Sequence, residues 1–252
     1  AFEERLLGEV DHEVTGNEWF GTGIRAGRLS WTGSELAAYY TVNRLWPDGI
    51  AHYGDQLRLF GADGSAGRTR WSWGCSHSME VRVVHNGTQL GPVCAADCYP
   101  SKGIHFNHRG GRIVGDARLS DCRGGYGTSL GGVVPMDDGF WVTFTATEGR
   151  SSHDVGIARV GNDRSIGDVR WLTEDDGRDR NVRAARHGDG FVVAWTDGAG
   201  QHRFTRFDAA GEPREGPVTL PEAGLAGVSD FYVLADGDIG WLTAAGGELQ
   251  LA

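Results

Sequence analysis

The chain has 252 residues, with 24 basic against 34 acidic side chains and a formal net charge of -10, a balance that excludes a nucleic-acid backbone as the main ligand because such binders carry a basic stripe. Its 41 Gly, 9 Trp, 10 Phe and 6 Tyr, with no long stretch of helical apolar period, exclude a helical fold and favour short strands joined by glycine-rich turns. No run of about 18 apolar residues occurs, so no membrane insertion is expected.

In chain order, one pattern recurs. A turn rich in Gly, Asp, Asn or Ser is followed by an apolar residue that opens a strand, first in GSELAAYY at Leu36. The same device returns in GTQLGPVC at Leu90, DDGFWVTF at Phe140, GDGFVVAW at Phe191 and DGDIGWLT at Ile239. The interval is about 50 residues throughout, at the long end of the periods that mark repeat architectures. Apolar runs precede the later turns (MEVRVV, TSLGGVV, VRAAR, DFYVL), and a second hairpin follows, as in QLRLFGADGS, GIARVGNDRS and RFTRFDAAGE, with a shorter IHFNHRGG in the second unit. Asp, Asn and Gly there supply the turn conformations that other side chains resist. Each unit therefore predicts four strands, with bounds near 22–73, 74–120, 121–173, 174–220 and 221–252.

From Ile239 through the C-terminus and on from the N-terminus to Leu36 the count is again about 50, so the units are expected to close a ring. The last unit stops after its third strand at ELQLA, while FEERLLGEV near the N-terminus resembles fourth strands such as GDVRWLT. The expected fold is all-β: a single five-bladed β-propeller of four-stranded blades whose last blade is completed by residues 1–10, which removes an exposed sheet edge. A β-sandwich with similarly spaced strands is the alternative. The units resemble the repeats of secreted bacterial propeller proteins that carry W-T-G-x-E-L-x-x-x-[WY], here WTGSELAAYY from Trp31 to Tyr40. That resemblance implies a fold and export, and it assigns no functional residue.

Export is expected on other grounds too. The chain begins at Ala1 without Met, as after removal of a leader, and its four Cys are an even count. Lys102 is the only lysine among the basic residues, a bias of GC-rich bacterial genomes. A secreted or periplasmic location follows as the expectation. Two disulfides among Cys75, Cys94, Cys98 and Cys122 are the economical reading, with Cys94 to Cys98 and Cys75 to Cys122 preferred and Cys75 to Cys98 also open. A zinc cluster built on Cys75, His77, Cys94 and Cys98 is the rival, but its ligand spacing is poor. No cofactor is expected, with a metal held by several histidines as the exception.

In such a ring, the entries to first strands and the joins of second to third strands share one face, the upper face. It collects His52, His77, His105, His153 and His202, with Trp19, Phe20, Trp46, Tyr53, Tyr99 and Tyr126, while His85 and His187 fall on lower hairpins. The join NRLWPDGIAHY, 43–53, is longer than an ordinary hairpin loop, and such excess length is often functional. Trp19, Trp46, His52, Tyr53, His77, Tyr99, Tyr126, His153, His202 and Asp230 are the expected ligand-binding residues, because aromatic rings stack on sugar faces while polar groups fix hydroxyls. Glycan recognition or targeting is the expected function, toward a glycan or cell-surface ligand, in concert with another module or subunit of a secreted assembly. The alternative is a hydrolase or lyase with one His- and Asp-lined site at the upper mouth. A glycosidase needs two close carboxylates, for which Glu18, Glu80, Asp121, Asp179 and Asp230 are the candidates. Nucleophile-elbow, phosphate-loop and calcium-loop signatures are absent.

Overall fold

A computed structural model describes residues 27–45, 49, 51–75, 80–107, 111–115, 127–219, 230–245 and 248–251. Every regular element among them is a β-strand. The first sheet holds β1 (Gly27–Trp31), β2 (Glu35–Leu45), β3 (Ala51–Gly61) and β4 (Ala66–Trp71); the second holds β5 (Val81–His85), β6 (Leu90–Ala96), β7 (Gly103–Phe106) and β8 (Arg112–Gly115). The third holds β9 (Thr128–Met136), β10 (Gly139–Ala146), β11 (Asp154–Gly161) and β12 (Arg170–Trp171); the fourth holds β13 (Arg180–His187), β14 (Gly190–Thr196), β15 (His202–Phe207) and β16 (Pro213–Thr219). Two hairpins follow, β17 (Tyr232–Val233) with β18 (Ile239–Gly240) and β19 (Leu242–Ala245) with β20 (Glu248–Leu251). Only Trp241 separates β18 from β19 along the chain, although the two hairpins are separate two-stranded sheets. All five strands expected after the repeated turns are present, and each full sheet is an antiparallel meander in chain order.

The sheets stack face to face, which explains why the second strands read as continuous apolar runs. GFWVTFTA in β10 and GFVVAWT in β14 are buried at every position, because both faces of each sheet meet a neighbour. Phe140, Val142 and Phe144 of β10 pack with Val93, Ile104 and Val114 of the second sheet. Trp141, on the opposite face, packs with Phe191, Val193 and Phe207 of the fourth. Gly91 lets the second and third sheets approach, since a Cβ there would stand 2.6 Å from the Phe140 ring. A third cluster, with Tyr39, Leu57, Val81, Val83 and Ala96, joins sheets one and two. The first strands touch in succession, β1 with β5, β5 with β9, β9 with β13 and β13 with β17. By contrast β16, PREGPVT, is exposed along its whole length, and its prolines and charges suit an edge strand.

The lower turns repeat in atomic detail. In GADGS, Gly61 N–H donates to Ser65 O, Gly64 N–H to Gly61 O and Ser65 N–H to Asp63 Oδ1; GNDRS repeats all three bonds with Gly161, Arg164, Ser165 and Asp163. Gly64 has φ 75°, and Arg164 takes the same left-handed conformation at φ 69°. Arg164→Gly is therefore expected to raise stability by about 0.5–1 kcal/mol, as urea denaturation would report.

The structure corrects two expectations. Most of segment 43–53 is ladder, with Arg44 opposite His52 and Asn43 opposite Tyr53, so the join itself is short. Cys94 pairs with Cys75 at a Cα–Cα distance of 6.3 Å, and not with Cys98. The reason is strand geometry: Cys94 lies inside β6, whose extended backbone carries the chain away from it before Cys98 is reached, whereas Cys75 sits against the same core cluster. Cys98 is disulfide-bonded as well, but its partner, like Trp19, Trp46, His77, Tyr126, Cys122 and the strand expected at 1–10, lies outside the described residues. Such buried bridges form in an oxidising environment. No helix among the described residues is long and apolar enough to cross a membrane.

Candidate functional site

The end of the sheets at which first strands begin carries most of the convergent polar groups. A cavity of about 420 Å³ opens there, lined by Glu80 before β5, Thr128 and Ser129 of β9, His153 before β11, and Arg178, Asp179, Arg180 and Asn181 at the entry to β13. Three successive sheets thus contribute to one concavity.

Glu80 bridges two of them. Ser129 Oγ donates to its Oε1 at 3.0 Å and the Leu130 N–H donates to its Oε2. Asp179 is 1% exposed, and its Oδ2 accepts from Thr173 Oγ1 at 2.5 Å. Its backbone N–H donates to His153 O at 2.9 Å, while Oδ1 has no hydrogen-bond partner among the described residues. Burial pushes the Asp179 carboxyl up to about 6; Thr173 pulls against this, while Asp175, Asp154 and Asp197 add to it. The loop that carries Asp179 is well anchored. Arg150 donates to Asp154 at 2.7 Å, Glu174 at 3.0 Å and Thr173 O at 2.8 Å, and its guanidinium lies 4.7 Å from the Trp171 ring centre. Ser152 Oγ donates to Asp175 O at 3.0 Å and Gly177 N–H to Asp175 Oδ1 at 2.7 Å. Arg178 and Arg180 are exposed and make no side-chain hydrogen bond or ion pair among the described residues, so both guanidinium groups are available to a ligand.

The first strands also carry an arginine cluster. Arg82 and Arg183 follow a valine in matching EVRVV and NVRAA segments, and each donates to that valine's carbonyl, at 2.9 and 2.7 Å. Asp230 accepts from Arg28 Nε at 2.5 Å and pairs with Arg82 at 2.9 Å, tying β1, β5 and the approach to β17 together. Burial lowers Arg82 to about 10 although Asp230 supports its charge, and burial lowers Arg183 as well.

Of the expected ligand residues, His153 lines this cavity and Asp230 is committed to the arginines. His52 is half-buried in β3, and His202 is 3.1 Å from Thr196 Oγ1 at the start of β15. Tyr53 is 3% exposed, so it packs inside the protein and offers no stacking face. Tyr99 is 59% exposed and belongs to a separate cleft. Glu80 and Asp179 were visible in sequence only as acids that precede first strands; their shared cavity was not.

Beside this region, Asp55, Cys75 and Cys94 place one ligand atom each within 4.8 Å of one another. The two sulfurs are bonded to each other and Asp55 is occupied by Tyr39, Trp71, Cys75 N–H and Asn107, so the group is a structural core and not a metal centre.

No protein-family model matches the chain, and no curated protein matches its sequence. Among solved structures it is similar to a puromycin hydrolase mutant complexed with PGG, at 12% identity and a TM-score of 0.41 over 87% of this chain and 33% of that one. It is also similar to the catalytic domain of the Coprinopsis cinerea GH62 α-L-arabinofuranosidase, at 10% identity and a TM-score of 0.42 over 94% of this chain and 92% of that one. The chain spans about a third of the length of the puromycin hydrolase, and likenesses this distant carry no weight for its fold or chemistry.

Proposed function

We propose that this chain is an exported five-bladed β-propeller, closed by residues 1–10 beside β20, that binds a carbohydrate in the cavity at the mouth of its central channel. The succession of touching first strands and the Arg28 to Asp230 bond, which joins the first sheet to the segment entering β17, support the ring. The observation that carries the ligand reading is a polar cavity on which Glu80, Ser129, His153, Asn181 and two uncommitted arginines converge. Its volume falls within the ~300–1,000 Å³ range of small-ligand sites, and its mix of donors and acceptors suits vicinal hydroxyls. A glycan at a cell surface or within a secreted assembly is the partner this chemistry fits.

The test is a glycan array followed by titration of each binder. Glu80→Gln keeps size but turns one acceptor into a donor facing Ser129 Oγ or the Leu130 N–H, and affinity should fall at least about tenfold. Unchanged affinity for every glycan would remove the cavity from consideration.

Asp179 favours a second reading, hydrolysis at the same site. A carboxyl held near pH 6 by burial, one oxygen fixed by Thr173, is poised to give a proton at neutral pH, with Glu80 as the second carboxylate. Sugar binding with no bond cleavage, in wild type and Asp179→Asn alike, would leave binding as the whole function.

A further inference from the structure

We infer that a second carbohydrate site, separate from the central cavity, lies in the cleft between the first and second sheets and holds one or two sugar rings against Tyr99. The cleft has a volume of about 450 Å³ and is walled by Trp73, Tyr99, Pro100 and Phe106, with Ser101, His105 and Arg112 among them. It combines the two things a sugar ring needs. The apolar faces come from Tyr99, a residue 59% exposed whose ring makes no ring pair among the described residues, and from Trp73. The hydrogen-bonding groups come from the Tyr99 and Ser101 hydroxyls, His105 and Arg112.

Each polar group has a defined state. His105 Nε2 lies 2.7 Å from Ser101 O, so that nitrogen carries the proton and Nδ1 is left as an acceptor. Burial lowers the His105 pKa, which keeps the ring neutral at neutral pH. The Arg112 guanidinium is 51% exposed and only 4.0 Å from Glu148, a loose pair that a ligand oxygen can replace. Asn107 is not a free lining group: it donates to Asp55 at 2.9 Å and to Tyr39 Oη at 3.2 Å.

What singles out this cleft is that its walls are cross-linked. Gly74 of the lining precedes Cys75, which is bonded to Cys94, and Cys94 stands opposite His105 in the β6–β7 ladder. Tyr99 follows Cys98, which is also disulfide-bonded. Gly74 itself is clamped, since a Cβ there would lie 2.0 Å from Asp55 Oδ1 and 2.1 Å from Asn107 Nδ2. The Trp73–Gly74 side of the opening is therefore held against β6 before any ligand arrives, which lowers the ordering cost of binding.

The experiment uses the full chain on an array of mono- to tetrasaccharides, then titrates every binder against wild type, Tyr99→Ala, Tyr99→Phe, Arg112→Ala and Glu80→Gln. Tyr99 and Arg112 are exposed, so these variants are expected to fold, and thermal melting checks that they do. For at least one glycan, Tyr99→Ala and Arg112→Ala should each weaken binding about tenfold, with Tyr99→Phe near wild type and Glu80→Gln within twofold. Loss in Glu80→Gln with none in Tyr99→Ala overturns the second site and leaves the central one. If some glycans lose affinity in Tyr99→Ala while no glycan loses any in Glu80→Gln, the second site stands and the central one is overturned. An array with no binder overturns both.

Discussion

Asp230→Ala should destabilise the protein by about 3 kcal/mol at neutral pH, because deleting the carboxylate of a partly buried ion cluster removes an opposite charge that Arg28 and Arg82 both contact. The side chains of Asp230, Arg28 and Arg82 are 20%, 27% and 11% exposed, and the carboxylate contacts both arginines. Without it, the mutual repulsion of Arg28, Arg82 and Arg183 would be offset less, since Asp230 supports the charge of both Arg82 and Arg183. The loss should appear in urea denaturation as a lower midpoint with an unchanged slope. Sequence reasoning placed Asp230 among ligand residues, and the two roles separate cleanly. A ligand residue would lose binding at unchanged stability; the clamp described above loses stability first.

The second large effect concerns Asp55, which is fully buried and accepts from Tyr39 Oη at 2.7 Å, Trp71 Nε1 at 2.8 Å, the Cys75 N–H at 3.0 Å and Asn107 Nδ2 at 2.9 Å. Asp55→Ala orphans these donors in the interface of the first two sheets, and a cost of about 4 kcal/mol is expected. Burial pushes the Asp55 carboxyl up to about 6 from 3.8, although the four donors pull the other way. Between those values the folded protein holds a proton that the unfolded chain has released. Stability from this group is therefore complete below about pH 4 and declines as pH rises through 6, by about 3 kcal/mol in all. Asp179 acts in the same direction. The unfolding free energy of wild type should fall between pH 4 and 7 relative to that of Asp55→Asn, and an equal pH dependence of the two would refute the Asp55 assignment.

The repeat was legible because its determinants are local. A Gly, Asp or Asn turn needs only its own residues, and an apolar run such as FVVAW announces a doubly buried strand without reference to its neighbours. Arg164 shows the limit of that local code: it adopts the conformation of Gly64 because Gly161, Asp163 and Ser165, bonded as in GADGS, impose it.

The site was legible only as a set of candidates. Glu80 and Asp179 could be named as acids before first strands, yet each had the same sequence surroundings as a solvated surface acid. Tyr53 looked like a loop aromatic and is core, because β2 and β3 continue their ladder past the point where the turn signal seemed to begin. The cysteines could be counted but not paired, since closeness along the chain and closeness across a strand are unrelated.

By itself, then, the sequence determined strands, turns and the period of about 50 residues, all set by interactions within a few residues or by composition. Tertiary structure decided which carboxylates share a cavity, that Asp230 clamps arginines, and that Cys75 meets Cys94. Those outcomes depend on stacking separate sheets, which brings distant segments within a few ångströms and sets their burial, and burial in turn sets the charge on Asp55 and Asp179.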